Sequence, residues 1–301
     1  MDPLTLLAPI AVDNRGVLTR SQVLATGISP RALGDLVSRG SVARIARGVY
    51  AIGEPLPDPR RIAKDWYAAI SFESAAAWWG VELPAPLSQI HLTVPRARGG
   101  LAEALPGVRL HRADLARTDV ELVDGALVTT PLRTCLDIAR HSPADQAVAV
   151  VDAFIRQHHF TDADFAAVAR AARGPGRLRA QTVAGLVDPW SGCVLESLTR
   201  VLLWRSGLPV PVTQLSLKSR ATGWVGFVDF AWPEVRAVLE CDGYAYRNSR
   251  DPFRGDRRRW AAITSEGWRL AVVTWFDVTQ DPAYVVSAVR RLLEVSAAAA
   301  A

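Results

Sequence analysis

The sequence predicts a multi-domain chain of mixed α and β structure, α+β or α/β in class, and three observations carry that reading. Its 301 residues exceed one ordinary domain and allow two or three. Short helical periodicities at the start give way to a pair of β-prone runs before residue 53. Helices and strands then alternate through the rest, ending in two β-runs that carry acidic residues. Half of the residues are hydrophobic and 22% are charged, the balance of a globular chain with a buried core.

The first fifty residues are the most regular. Leu4 to Val12 has helical apolar spacing, and Gly16 is suited to end that helix. Thr19 is placed as an N-cap for a second helix, Arg20 to Ala25, which stops at Gly27. Ser29-Pro30 is another start signal, a capping hydroxyl followed by proline at the first helical position. The helix that follows places Leu33, Leu36 and Val37 on one side and ends at Gly40. Val42 to Ile45 and Val49 to Ile52 then form two short strands around Arg47-Gly48. Three helices and a small hairpin make a winged helix-turn-helix, expected over residues 1–53. In such a module the recognition helix lies in the DNA major groove and its first turn faces the base edges. Arg31 sits in that turn. Arg44 and Arg47 lie on the wing, within reach of phosphates or the minor groove. A winged helix used only for protein contacts is the alternative.

Gly16-Val17-Leu18-Thr19-Arg20 and Arg44-Ile45-Ala46-Arg47-Gly48-Val49-Tyr50 resemble the N-terminal domain of AbiEi-type antitoxins. In that family the domain binds the promoter of its own toxin–antitoxin operon. The resemblance implies an autoregulatory DNA-binding domain, with the operon promoter and a nucleotidyltransferase-type toxin as partners.

Charge is distributed unevenly. Residues 1–52 hold six arginines against three acids, residues 53–185 are balanced, and residues 186–301 hold fourteen basic against twelve acidic residues. The net charge is +5 and lysine occurs only at positions 64 and 218. Clustered arginine at the two ends points to an anionic partner. No run of about 18 apolar residues is available to span a membrane. Asp2 and Pro3 stand where a secretory signal carries positive charge, so a cytoplasmic protein is expected. Cys135, Cys193 and Cys241 have no metal-ligand spacing and read as small buried hydrophobes.

A proline-rich linker, Glu54 to Pro59, opens the middle segment, 54–185. A helix is expected from Arg60 through Trp79, strands at Ile90–Val94 and Val108–His111, and helices from Thr130-Pro131, over 143–157 and over 162–172. Ser71 to Ala76 and Thr129 to Thr134 are similar to stretches of the antitoxin-like architecture. A scaffolding or partner-binding role is expected of this α/β segment.

The chemistry gathers in residues 186–295. Leu195 to Trp204 reads as a helix with Glu196 near its start. Trp224 to Ala231 and Val235 to Cys241 are β-runs around Trp232-Pro233-Glu234, where proline enforces a turn. Centring that turn on Glu234 and Val235 sets Asp229 directly across from Glu240, with Asp242 on the same face. A slip of one residue would separate them. Three acids beside Val238 and Leu239 need a cation or a proton to be buried. Their oxygens suit Mg²⁺ or Mn²⁺, which bind through one or two carboxylates plus water and substrate phosphate. Arg247, Arg250, Arg254, Arg257, Arg258 and Arg259 follow within thirteen residues. Next to a metal they would hold a phosphate backbone. The alternative is ordinary strand-end acids paired with these arginines.

The order helix–Glu, strand–Asp, strand–Glu-x-Asp-Gly resembles the PD-(D/E)xK restriction-endonuclease superfamily, and within it Vsr-like domains related to very-short-patch-repair endonucleases. Val228 to Glu234, Leu239 to Gly243, Asp256 to Arg259, Glu266 to Trp268 and Thr274-Trp275 carry the likeness. It implies a restriction-endonuclease-like domain in which Asp229 and Glu240 hold Mg²⁺ or Mn²⁺ and Glu196 is an accessory carboxylate. Asp242 stands where the superfamily has lysine, and Tyr246 where relatives carry His or Lys; a phenol is a weak base at neutral pH. Arg247, Arg254, Arg257 and Arg258 would contact double-stranded DNA. Two functions therefore compete: a Mg²⁺-dependent DNA endonuclease targeted by the winged helix, and an AbiEi-type autorepressor whose nuclease-like domain does not cut.

Overall fold

The computed structural model describes residues 3–13, 17–39, 41–46, 49–52, 59–60, 63, 67–97, 107–219, 223, 225–242 and 252–294. Among them twelve α-helices and three sheets form a mixed α/β architecture in two compact units, Met1–Thr134 and Cys135–Ala301.

The first unit begins with α1 (Pro3–Asp13), β1 (Val17–Thr19), α2 (Arg20–Ala25), α3 (Pro30–Ser38), β2 (Val42–Ala46) and β3 (Val49–Ile52). Ser29 caps α3: its hydroxyl accepts the Ala32 N–H at 3.2 Å, and Pro30 opens the first turn where no N–H is needed. Leu33 and Leu36 face inward onto Leu7, Leu18, Val23, Ile28, Val42 and Tyr50. Strand β1 was not expected. Its three residues pair antiparallel with Val49–Ala51, so β3 lies between β1 and β2 and the hairpin gains a third strand.

A second sheet has the order β6-β5-β4-β8-β7, from β4 (Ala69–Ile70), β5 (Ile90–Val94), β6 (Val108–Arg112), β7 (Val120–Val123) and β8 (Ala126–Thr129). The single helix expected over 60–79 is corrected here. Only α4 (Phe72–Trp78) is helical in its second half, because Ala69 and Ile70 pair with Thr93 and Leu92 on one side and Ile70 with Val128 on the other. Burial in the middle of a sheet overrides the helix propensity of an alanine-rich run. Helix α5 (Pro131–His141) follows β8.

The second unit carries α6 (Ala144–Arg156), α7 (Asp162–Ala171), α8 (Arg177–Ala184) and α9 (Val194–Arg205), then β9 (Val212–Lys218), β10 (Val225–Trp232) and β11 (Ala237–Asp242). Helix α10 (Pro252–Ser265), β12 (Arg269–Thr274), α11 (Trp275–Gln280) and α12 (Pro282–Glu294) complete it. Its sheet has the order β12-β11-β10-β9, with β12 parallel to β11 and the other pairs antiparallel. One face packs Phe230, Trp232, Ala237 and Leu239 against Leu195 and Leu198 of α9 and Val285 and Val289 of α12. Val228, Ala231 and Val238 pack instead with Ile263 and Trp260 of α10. Asp152 of α6 fixes α9: it is buried, pairs with Arg200, and accepts the Ser197 hydroxyl at 2.7 Å and the Asp188 N–H at 2.9 Å. These bonds fix the helix that carries Glu196.

Candidate functional site

The hairpin register is the one expected: Phe230 pairs with Leu239, Ala231 with Val238 and Trp232 with Ala237. The turn is a 3₁₀ segment, Pro233–Val235, closed by Arg236 in the left-handed region (φ 49°). The next rung would join Asp229 to Glu240, and there side chains replace the ladder. The Cys241 N–H donates to Asp229 Oδ2 at 2.8 Å, and the Asp229 N–H donates to the Glu240 carboxylate. The two acids therefore lie side by side, each tied to the other's strand.

Glu196, in the first turn of α9, joins them through a residue that sequence reasoning missed. Gln214 Nε2 donates to Glu196 Oε2 at 3.0 Å and reaches Asp229 Oδ1 at 3.5 Å. Gln214 can do so because its backbone adopts φ 49°, interrupting β9 opposite Asp229. Gly192 closes the other side: its N–H donates to Glu196 Oε2 at 2.8 Å, and a Cβ at this position would stand 2.8 Å from Glu196 Oε1. Strand β9 was not expected either, although the alternation Leu215-Ser216-Leu217-Lys218 was a signal that could have found it. Nothing in the sequence marks the left-handed turn at glutamine.

Electrostatics in this centre are unfavourable to ionised acids. Burial, then the Asp229 charge, pushes Glu196 up to about 7. The same two causes push Glu240 up to about 8, although Arg259 and the Asp229 N–H pull it back. Cys193 and Cys241 adjoin the centre, and burial raises both thiols, Cys193 to about 12. The cation that answers Glu240 comes from α10. Arg259 Nη2 lies 2.9 Å from Oε1 and 2.8 Å from Oε2 of Glu240, and the same nitrogen donates to the Phe227 carbonyl.

This arrangement bears on the expected Mg²⁺ or Mn²⁺. A divalent ion on Asp229 and Glu240 needs carboxylate lone pairs turned towards it. As placed, both Glu240 oxygens meet a guanidinium, and Asp229 receives donors from Cys241 and Gln214. Among the described residues no group of three or more His, Cys, Asp and Glu side chains is arranged to hold a metal ion. The donors have the right chemistry and the wrong engagement, so no step is assigned to a metal.

The remaining expected positions fall as follows. Asp242 ends β11, half-buried and paired in register with Thr274. Arg254, Arg257 and Arg258 belong to α10, but their side chains lie outside the described residues, as does Arg44 on β2. Tyr246, Arg247 and Arg47 lie outside them altogether. Arg31 is exposed in the first turn of α3, directly after the Ser29 cap. A cavity of about 180 Å³ lies beside it, lined by Arg20, Pro30, Leu33, Gly34, Val37 and Tyr50. No described helix is long and apolar enough to cross a membrane.

Residues 6–53, which contain α2 and α3, match the family model for a transcriptional regulator, AbiEi antitoxin. Residues 67–185 match the model for the AbiEi antitoxin C-terminal domain. Both matches support an AbiEi-type antitoxin. Along most of its length the chain is similar to two proteins of Mycobacterium tuberculosis, uncharacterized protein Rv2248 (strain ATCC 25618 / H37Rv) and uncharacterized protein MT2308 (strain CDC 1551 / Oshkosh). Each is 27% identical over 263 residues, covering 86% of this chain and 94% of theirs. The crystal structure of the RV2827C protein from the same species aligns with 75% of this chain and 91% of its own, at 15% identity and a TM-score of 0.32.

Proposed function

We propose that this protein is a DNA-binding transcriptional regulator of the AbiEi antitoxin type, which represses its own operon. Residues 1–53 act in this reading as a winged helix, residues 54–185 as the antitoxin-like domain that meets a nucleotidyltransferase-type toxin, and residues 186–295 as a nuclease-like body. One observation carries it: Arg31 is exposed at the capped start of α3, inside the segment that matches the regulator model. A helix N-terminus offers free N–H groups to a phosphate, and an arginine in its first turn reaches base edges or backbone.

The test is a mobility shift with DNA from upstream of the protein's own gene. Arg31→Ala should weaken binding by about 1–3 kcal/mol while leaving the melting temperature in place. Absence of any shift at low salt would remove the reading.

The convergence of Asp229, Glu240 and Glu196 favours a second reading, a Mg²⁺-dependent endonuclease aimed by the same module, with Asp242 and Tyr246 near the scissile phosphate and Arg247, Arg254, Arg257 and Arg258 on the DNA backbone. It requires nicking in Mg²⁺ or Mn²⁺ that Asp229→Ala and Glu240→Ala abolish. We place it second because Arg259 already engages the carboxylate that such an ion needs.

A further inference from the structure

We infer that Arg259 is the resident cation of the acidic centre, standing where the expected divalent metal would stand and keeping that metal out. The position of Arg259 follows from helix geometry. Residues four apart share a helix face, and Ile263, four positions after Arg259, is buried among Val228, Ala231 and Val238. The neighbouring Trp260 packs on the same cluster. Helix α10 is thus seated on the sheet by two large apolar side chains, and Arg259 has no choice but to enter at the sheet's acidic end.

Once there, a single nitrogen, Nη2, bridges both oxygens of Glu240 and the Phe227 carbonyl. The Phe227 carbonyl is a hard neutral oxygen of the kind a small cation uses together with carboxylates. The guanidinium therefore takes a carboxylate and a carbonyl from adjacent strands, the donors an ion would recruit. A guanidinium carries one charge and cannot polarise water as Mg²⁺ does. A centre so filled keeps the carboxylates together and the strands in place without a hydrolytic ion. The inference does not depend on the regulator reading, since it concerns metal uptake and not DNA.

Mn²⁺ binding to the full chain, followed by the electron paramagnetic resonance of the free ion, tests it without any DNA. Wild type and Arg259→Lys, which keeps the charge, should leave Mn²⁺ free at concentrations where Arg259→Gln takes it up about ten- to a hundredfold more strongly. Adding Asp229→Asn to Arg259→Gln should abolish that gain. A folded Arg259→Gln protein that takes up no more Mn²⁺ than wild type overturns the inference. So does Mn²⁺ uptake by wild type that Asp229→Asn removes. Should Arg259→Gln fail to fold, wild type and Asp229→Asn decide alone: equal lack of uptake upholds the inference, and uptake lost in the variant overturns it.

Discussion

Glu196 is a carboxyl group in a place that favours its proton. Its pKa is raised from 4.5 to about 7, first by burial and then by Asp229, while its bonds from Gly192, Cys193 and Gln214 act in the other direction. A raised folded-state value means that the contribution of this one group to stability is most favourable in acid. Below pH 4.5 the group is protonated in both the folded and the unfolded chain and costs nothing. As pH rises towards 7 the unfolded chain releases the proton first, and the native state is progressively disfavoured. Glu196→Gln removes the titration and keeps an oxygen for the Gly192 N–H. Thermal melts across pH should therefore show the variant matching wild type near pH 4.5 and exceeding it by about 1–3 kcal/mol above neutrality. A constant difference at every pH would contradict this account.

Loops that look interchangeable differ in what they tolerate. Gly176 precedes α8 at φ 78°, and a Cβ there would meet the Arg140 carbonyl oxygen at 2.6 Å. Arg140 in turn donates to the carbonyls of Pro175 and Arg173 at 2.9 and 2.8 Å, so the backbone cannot retreat cheaply. Gly176→Ala should cost about 1–3 kcal/mol and lower the melting temperature by several degrees. Gly185→Ala, at φ −75° with its nearest neighbour at 3.5 Å, is the control and should cost much less. The same contrast explains which elements were legible in the sequence. Helix α3 was readable because Ser29-Pro30 is a local signal, and the β10–β11 register because Pro233 marks its turn. Strand β4 was not, since only its partners Leu92, Thr93 and Val128 make two residues a strand. The β7–β8 hairpin had a signal that went unread: Asp124-Gly125, both at positive φ, is a favoured two-residue turn. In the acidic centre Asp229, Glu240 and Glu196 were named from their order, whereas Gln214 depended on a backbone turn with no sequence mark. Arg259 was visible as one arginine among six, and only packing by Ile263 and Trp260 singles it out.

Over the whole chain, positive charge is concentrated where the regulator reading puts DNA. With six arginines against three acids in residues 1–52 and balance in 53–185, binding should fall steeply as salt rises. Chelation offers a cleaner discriminator. If the acidic centre is held by Arg259, excess EDTA should change neither promoter affinity nor the melting temperature; a drop in either would reinstate a structural ion. The thiols offer another route into the molecule. All three cysteines lie in the second unit; Cys135 is fully buried, and burial holds each thiol far above the range in which it becomes a nucleophile at neutral pH. Alkylating reagents should meet silent sulfurs until that half of the chain breathes, so the pace of Cys135 labelling becomes a clock for its opening, read by mass spectrometry without any introduced probe.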